Sequence, residues 1–399
     1  WRHLIPIIIG TKKLKNRNYF FMLYNVIGLM SGSSLDGLDI AFVEFSETAG
    51  KWNYEIKCAA CVEYGNEWTQ KLRNAIHLSA QEYQLLHTDY GRYLGERVNE
   101  FIEEFQLHHK VNLVASHGHT TFHFPEKRMT HQLGDGAAIA AETQLPVVSD
   151  LRAMDIAFGG QGAPIVPLGE KLLFPDYHYF LNIGGIANIS FNSKQTIPIA
   201  IGTDSHSGFN EIIAFDICAA NRVLNMLAAE KNKQYDEDGK IASSGKMNEP
   251  LLEKLNALDY FSLPHPKSLA NSFGTDIIYP LVKSFNLSTE DALCTSVEHI
   301  AIQIKNSLQS QFSNTDVQQL MITGGGAFNK FLINRISKHL QQINFEIYIP
   351  ENDVVIYKEA LIMALLGILR WREQYTVLSS VTGASRNSIG GALWLGTEA

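Results

Sequence analysis

Residues 27–45 read IGLMSGSSLDGLDIAFVEF, and the fold follows from how this stretch is understood. Apolar runs at 25–30 and 38–45 flank Ser31-Gly32-Ser33-Ser34-Leu35-Asp36-Gly37. β-Branched and aromatic residues on either side of a Gly/Ser/Asp cluster predict two strands joined by a tight turn. Glycine lets backbone N–H groups approach a ligand closely. Turn amides and hydroxyls together make a concave site for an anion. Asp36 suits a hydrated Mg²⁺ that bridges phosphates better than it suits a phosphate itself. The stretch is a candidate phosphate-handling hairpin, with an ordinary hairpin turn as the plain alternative. It is not a P-loop, because G-x-x-x-x-G-K-[ST] is absent and no lysine follows the glycines.

Around this hairpin lie 399 residues, a length that predicts two domains rather than one core. Hydrophobic residues make up 45% and charged residues 19%, which is globular composition and argues against disorder. The net charge is −8 with a pI near 6.0, and no basic block is present to neutralise phosphates, so nucleic acid is excluded as a partner. Four cysteines make no disulfide framework. Cys58 and Cys61 form a C-x-x-C inside a predicted strand, where positions three apart face opposite sides and cannot share a metal. The cysteines fit structural roles in a reducing cytoplasm. Residues 1–21 open with Trp1 and carry LIPIIIG before a lysine-rich stretch. That order reverses a secretory signal, and the apolar run is too short to span a bilayer. These residues are expected to be an extension of little order, or an upstream start-site artefact.

Along the chain, residues 54–64 predict a third strand, and apolar spacing from 66 to 105 predicts helix. Residues 111–116 predict a short strand leading into Ser116-His117-Gly118-His119-Thr120-Thr121-Phe122-His123. His117 and His119 would share a face of a continuing strand, and His123 could close a metal site. Gly134-Asp135-Gly136 opens a small-residue helix that lacks the last glycine of a dinucleotide fingerprint. Residues 146–149 predict a strand with Arg152 and Asp155 beyond its carboxyl end, where open α/β sheets place ligands. A surface salt bridge is the alternative for that pair. Gly159-Gly160-Gln161-Gly162-Ala163-Pro164 reads as a hinge-like passage to the second domain.

The second half repeats the logic. YFLNIGGIANISF at 179–191 predicts strand, Gly-Gly turn, strand, with Gly184, Gly185 and Asn188 nearest a ligand. Asp216 is expected between a strand ending at 215 and the following helix, where a helix N-cap is the plain role. Residues 320–323 predict a strand opening into Gly324-Gly325-Gly326 and a helix, which permits close approach of a ribose and base. Lys358-Glu359-Ala360 is expected to start a helix. There Glu359 either reaches a ligand or sits exposed in a first turn favoured by the helix dipole.

The succession GLMSGSSLDGLD, SHGHTTFH, GDGAAIA, GGQGAP resembles the anhydro-N-acetylmuramic acid kinases, a branch of the actin/hexokinase-like sugar kinases. The resemblance runs from about Met22 to Leu395. It implies a two-domain actin-like α/β fold (ribonuclease H-like) with an interdomain cleft. Domain I would be 22–160 plus about 375–399, and domain II 161–374. It also implies ATP with Mg²⁺ as cofactors, the metal held through phosphates near Asp36. The nucleotide would lie against Gly32, Ser33, Ser34, Leu35, Asp36, Gly37, Leu38, Asp39, Gly184, Gly185, Asn188, Gly324, Gly325 and Gly326. His117, Arg152, Asp155 and Glu359 would face the sugar, and the aspartate of Phe215-Asp216 would be the catalytic base. The family's Thr-Gly-Pro-Gly/Ala-Asn after that aspartate is Ile217-Cys218-Ala219-Ala220-Asn221 here, and His119 replaces a usual glutamine. The implied reaction opens the 1,6-anhydro ring of 1,6-anhydro-N-acetylmuramic acid with water and phosphorylates O6, a step of cell-wall recycling. The competing readings are a levoglucosan-type anhydrohexose kinase, a silent actin-like binding protein, and a metal hydrolase built on the three histidines. A cytoplasmic enzyme without membrane partners is expected; a homodimer is left open.

Overall fold

The computed structural model describes residues 8–14, 17–32, 35–192, 212–265, 267–270, 272–309 and 316–396. By its internal contacts the chain forms two units, residues 1–175 with 357–399 and residues 176–356. These boundaries differ from the expected 160/161 and 374/375, for a local reason at each crossing. The glycine passage is tied into the first unit: Asp155 accepts from Gly162 N at 2.8 Å, and Gln161 N donates to Thr382 O at 2.9 Å. At the other crossing, residues 357–371 belong to a helix buried against the first unit's own sheet.

That sheet begins with β1 (Ile8–Leu14), β2 (Arg17–Ser31), β3 (Gly37–Thr48) and β4 (Lys51–Glu63), and adds β5 (Leu113–Phe124), β6 (Met129–Leu133) and β7 (Val147–Ser149). The extension expected over 1–21 therefore supplies β1 and the first residues of β2, which pair antiparallel from Ile8↔Leu23 to Leu14↔Arg17. The strand at Ala392–Trp394 pairs with β7, and the order runs from it through β7, β5, β2 and β3 to β4. β2 and β3 are antiparallel over Met22↔Glu47 to Ser31↔Leu38, which is the opening hairpin. β2 and β5 are parallel, so a helical crossover must join them. The crossover contains helix α1 (Ala80–Glu104), which starts on a reciprocal cap between Ser79 and Glu82. Tyr90, Leu94 and Val98 of α1 are wholly buried against Ile27, Leu29 and Ile40 of the sheet. Ile76 and Leu85, which fit the apolar spacing, face solvent instead. Cys58 packs with the core side of β4 and Cys61 is exposed, as strand alternation requires. Helices α2 (Gly136–Thr143) and α3 (Pro167–Leu173) complete this part.

The second unit holds β8 (Tyr179–Ile183), β9 (Ile186–Asn192), β10 (Ile212–Ala219), β11 (Gln318–Thr323) and β12 (Phe345–Tyr348) in the order β10-β9-β8-β11-β12. The first three strands are antiparallel neighbours and the last two run parallel to β8 or to one another. Helices α4 (Asn221–Ala229), α5 (Thr289–Gln309) and α6 (Lys330–Leu340) cover it. Leu293, Val297, Ile304 and Leu308 of α5 fall at spacings of four and seven on one face of the helix and are buried in the core.

Helix α7 (Asn352–Trp371) begins six residues before Lys358, so Glu359 lies in its second turn and not in the expected first. From Ala360 to Leu366 every residue is at most 1% exposed, the mark of a helix buried on all sides. It lies so close to β2 that a Cβ on Gly28 would stand 1.9 Å from Ala360 O. Among the described residues no helix is long and apolar enough to cross a membrane.

Gly28→Ala should therefore destabilise the protein by about 1–3 kcal/mol or more, the usual cost of overpacking a close contact. Gly65→Ala, where an added Cβ meets nothing within 4 Å, should be near neutral. Urea unfolding midpoints of the two variants check the contrast.

Candidate active site

In the first unit the opening hairpin turns between Ser31 and Gly37. Ser33 and Ser34 lie outside the described residues. Leu35 takes a left-handed φ of 63°, unusual for a branched side chain and characteristic of strained functional turns. Gly37 is required by space, since a Cβ there would meet Val62 O and Cys61 Sγ at 2.7 Å. Asp36 is exposed and Leu38 is buried in the core. Asp39 is half-buried opposite Cys61. Burial, with the nearby charges of Glu359 and Asp36, pushes its carboxyl up to about 6 against a hydrogen bond from Cys61. Behind the turn Ser31 Oγ meets His119 Nδ1 at 3.0 Å and accepts from Tyr64 OH at 2.8 Å. His119 is thus held by its hydrogen bond to Ser31, and burial lowers its pKa to about 4.

Arg152 is the centre of the remaining first-unit residues. Its Nε donates to His117 Nε2 at 2.7 Å, and its Nη1 donates to Gly162 O. A guanidinium only donates, so His117 Nε2 accepts; the ring proton then sits on Nδ1, which meets Gly118 O at 2.8 Å. Burial and the adjacent Arg152 charge hold the His117 pKa down at about 3. Burial also lowers Arg152 to about 10, while Glu359 and Asp155 hold it up. Glu359 is half-buried and raised by burial, against Lys358 and Arg152; the exposed first-turn reading of this residue falls. Lys358 turns away to a buried ion pair with Glu170 at 2.6 Å. Asp155, expected beside the sugar, is 1% exposed, and both its oxygens are taken, by Gly162 N and by Thr382 Oγ1. It ties the glycine passage to the C-terminal segment and supports Arg152 instead of offering an oxygen.

The three histidines do not converge. Gly118 has a φ of 71° and the β2–β5 register shifts there, so His117 and His119 no longer share a face. His123 pairs with Thr130 Oγ1 at 3.1 Å. Among the described residues no three His, Cys, Asp or Glu side chains are arranged to hold a metal ion.

In the second unit two glycine turns pack on each other. Asn182 and Asn188 face across the β8–β9 hairpin, and the carbonyls of Gly184 and Gly185 accept from Asn221 N at 3.1 Å and Ala220 N at 2.9 Å. Gly324 has a φ of 81°, and a Cβ on it would stand 2.5 Å from Asn182 Oδ1. On Gly326 a Cβ would stand 2.2 Å from Ile183. Only Gly325 keeps clear space, with Asn221 Nδ2 at 3.6 Å. Two of the three glycines are thus demanded by packing alone.

Asp216 lies inside β10, opposite Asn188, at a bulge between Asp216 and Cys218. It is no helix N-cap; α4 starts five residues later, at Asn221. The strand continues because Ile217, Cys218 and Ala219 are all buried. The segment after Tyr260 holds the residue: Asp216 N donates to Lys267 O at 3.1 Å, Leu269 N to Asp216 Oδ2 at 2.8 Å, and Tyr260 OH to Asp216 O at 2.7 Å. Oδ1 has no hydrogen bond among the described residues. Burial raises the carboxyl pKa, and the Leu269 N–H opposes that rise. Leu269, with Tyr260, Ala270 and Phe273, also lines an open cavity of about 380 Å³. Sequence reasoning missed Tyr260, Lys267 and Leu269; the stretch LPHPKSLANSFGT at 263–275 carries two prolines, which signal an irregular segment and nothing more.

Each unit holds a sheet opened by a glycine-turned hairpin, β2–β3 in one and β8–β9 in the other, the arrangement that the sequence resemblance to sugar kinases implies. The family model for anhydro-N-acetylmuramic acid kinase matches residues 24–396. The anhydro-N-acetylmuramic acid kinase of Hydrogenovibrio crunogenus is 32% identical over 393 residues, covering 92% of this chain and 97% of its own. That of Shewanella sediminis is 32% identical over 405 residues, covering 95% and 99%, and one from Bacillus thuringiensis is 28% identical over 388 residues, covering 91% and 97%. The chain belongs to the anhydro-N-acetylmuramic acid kinase family.

The His117 arrangement has a consequence in acid. An unperturbed histidine protonates near 6.5, whereas folding holds this ring neutral down to about 3. The folded state therefore excludes a proton the unfolded chain would bind. The contribution of this contact is complete above 6.5 and is lost as pH falls, at up to about 1.4 kcal/mol per pH unit. At pH 5 nitrogen NMR should show His117 neutral with its proton on Nδ1; an imidazolium, or a proton on Nε2, would contradict the Arg152 contact.

Proposed function

We propose that this protein uses ATP to phosphorylate 1,6-anhydro-N-acetylmuramic acid at O6, opening the anhydro bridge with water in the same turnover. The observation that carries the reading is Asp216, a carboxylate clamped at Oδ2 by Leu269 N–H with its other oxygen unpartnered among the described residues. A base held at one oxygen keeps its orientation while the other accepts a proton. The substrate has no free 6-hydroxyl, because O6 is bonded to C1. Asp216 takes a proton from water, and the water oxygen bonds to C1 as the C1–O6 bond breaks. O6 then takes the γ-phosphoryl group, and ADP leaves. The products are N-acetylmuramate 6-phosphate and ADP, with the proton on Asp216 passing to solvent. Family membership supports this sugar over levoglucosan, since the curated relatives carry the amino-sugar name.

Phosphoryl transfer is mostly positioning and charge stabilisation. In this reading the Gly184–Gly185 and Gly324–Gly326 turns and residues 32–39 carry the nucleotide. Asp36, exposed, and Asp39, whose carboxyl is raised by burial and by its acidic neighbours, fit a hydrated Mg²⁺. That ion would draw charge from the phosphates when bound. Arg152, fixed by His117, and Glu359 are the first-unit groups toward the sugar. A cytoplasmic place, where ATP and recovered wall sugars meet, goes with this role.

Turnover should yield a product heavier than the amino sugar by one phosphoryl group and one water, with one ADP each, and levoglucosan should be a poor substrate. Levoglucosan turnover alone would transfer the protein to plain anhydrohexoses. Asp216→Asn should lower kcat by roughly 10²–10⁴-fold with ATP affinity kept; near-normal turnover would remove Asp216 as the base. The base acts ionised and its pKa is raised. Activity should therefore fall on the acid side with an inflection above the ordinary aspartate value of 3.8, read from kcat/KM against pH.

A further inference from the structure

Arg222 follows Asn221 in the first turn of α4, and neither the hairpin nor the base accounts for it. A cation there is out of place, since the N-terminal end of a helix carries partial positive charge and disfavours a further one. No acidic residue occupies that first turn to compensate. Among the described residues no carboxylate pairs with Arg222. Its Nε is closed off from solvent and has no hydrogen-bond acceptor among the described residues, an arrangement that costs free energy unless something supplies one.

The side chain lies along the second glycine hairpin. A Cβ on Gly185 would stand 3.6 Å from Arg222 Nε and 3.9 Å from Nη2, and one on Gly274 would stand 3.6 Å from Arg222 Cδ. The preceding residue, Asn221, borders Gly325 and donates to Ile183 O at 3.0 Å. Residues 221 and 222 thus sit beside both glycine turns. The first amides of α4 cannot serve an anion, because the N–H groups of Ala220, Asn221 and Arg222 are already given to the carbonyls of Gly184 and Gly185. Among the described groups at this end of α4, the guanidinium still has a donor to give.

We infer that Arg222 is a direct ligand of the nucleotide's phosphate chain, binding it as a charged fork beside the Gly184–Gly185 hairpin. A polyphosphate there would balance both the arginine and the positive end of α4 in one contact. The planar guanidinium, with its several donors, matches phosphate oxygens in a way a lysine cannot. The inference rests on the reading of that hairpin as the nucleotide's phosphate site.

Calorimetric titration of the full chain with ATP and ADP, and saturation-transfer NMR with adenosine, test it on the wild type, Arg222→Gln and Arg222→Lys. Arg222→Gln should weaken ATP and ADP by roughly ten- to a hundredfold, as expected for a lost charge-assisted contact. Adenosine binding should be unchanged, which also shows that the site is folded. Arg222→Lys should recover only part of the loss, and the salt dependence of ATP binding should be shallower in Arg222→Gln than in the wild type. Wild-type affinity for ATP in Arg222→Gln would overturn the inference while leaving the nucleotide site in place. An equal loss of adenosine would overturn it too, since the effect would not be on the phosphates. A wild type that binds neither ATP nor ADP would overturn the nucleotide reading itself.

Discussion

Helix α7 can lie on strand β2 only because residue 28 has no side chain, and much of the first unit's chemistry hangs from that contact. With Ala360 O standing where a Cβ of residue 28 would be, the helix is fixed in depth and rotation. Gly169 makes a similar allowance for Ile362, and Gly367 for Ala115, where added Cβ atoms would stand 2.6 Å away. The rotation sends Lys358 to Glu170 and leaves Glu359 near Arg152 and Asp39. The Lys358–Glu170 pair is almost fully buried. Such a pair adds little net stability over an apolar packing, but it is costly to break on one side. Its consequence here is register, because it decides which of two adjacent charged residues turns toward the arginine.

The second unit solves a different problem, that of holding one carboxylate in mid-strand. A departure from the family pattern after Asp216 removes the glycines and proline that would shape a loop. The structure shows why the aspartate survives this. Its amide, its carbonyl and one carboxylate oxygen are all held by Lys267, Tyr260 and Leu269, none of which lies in the altered stretch. Ile217, Cys218 and Ala219 instead extend β10 into the core, and the bulge at Asp216/Cys218 absorbs the change of direction. Lys267 adds a cation over the Tyr260 ring at 4.7 Å, which fastens the holding segment to itself.

The two hairpins were legible because their signals are local. Strand-forming residues on both sides of a glycine cluster predict a hairpin without knowledge of the rest of the chain, and Tyr179–Ile183 with Ile186–Asn192 stand where the spacing puts them. Asp216 was misplaced because two local rules compete at FDICAAN. Aspartate before a helix reads as a cap, while the apolar run on either side reads as strand, and tertiary burial decides for the strand. Asp155 and the domain boundaries were illegible for one shared reason. Gly160 leaves room for the Asp155 carboxylate, whose oxygen would be 2.3 Å from an added Cβ, so the glycines that suggest a hinge are the ones that let the passage fold back on its own unit.

The histidines show where spacing arguments stop. H-x-H on a strand places two imidazoles on one face only if the strand keeps its alternation. Gly118, at a left-handed φ of 71° and beneath Leu133 O, breaks it at the residue between them. One ring then goes to Arg152 and the other to Ser31, and both are buried deeply enough to stay neutral far into acid. A metal would need free nitrogens that converge. Here the Arg152 guanidinium occupies the ring nitrogen that a metal would have required, so a histidine that looks like a ligand becomes the part that aims a cation.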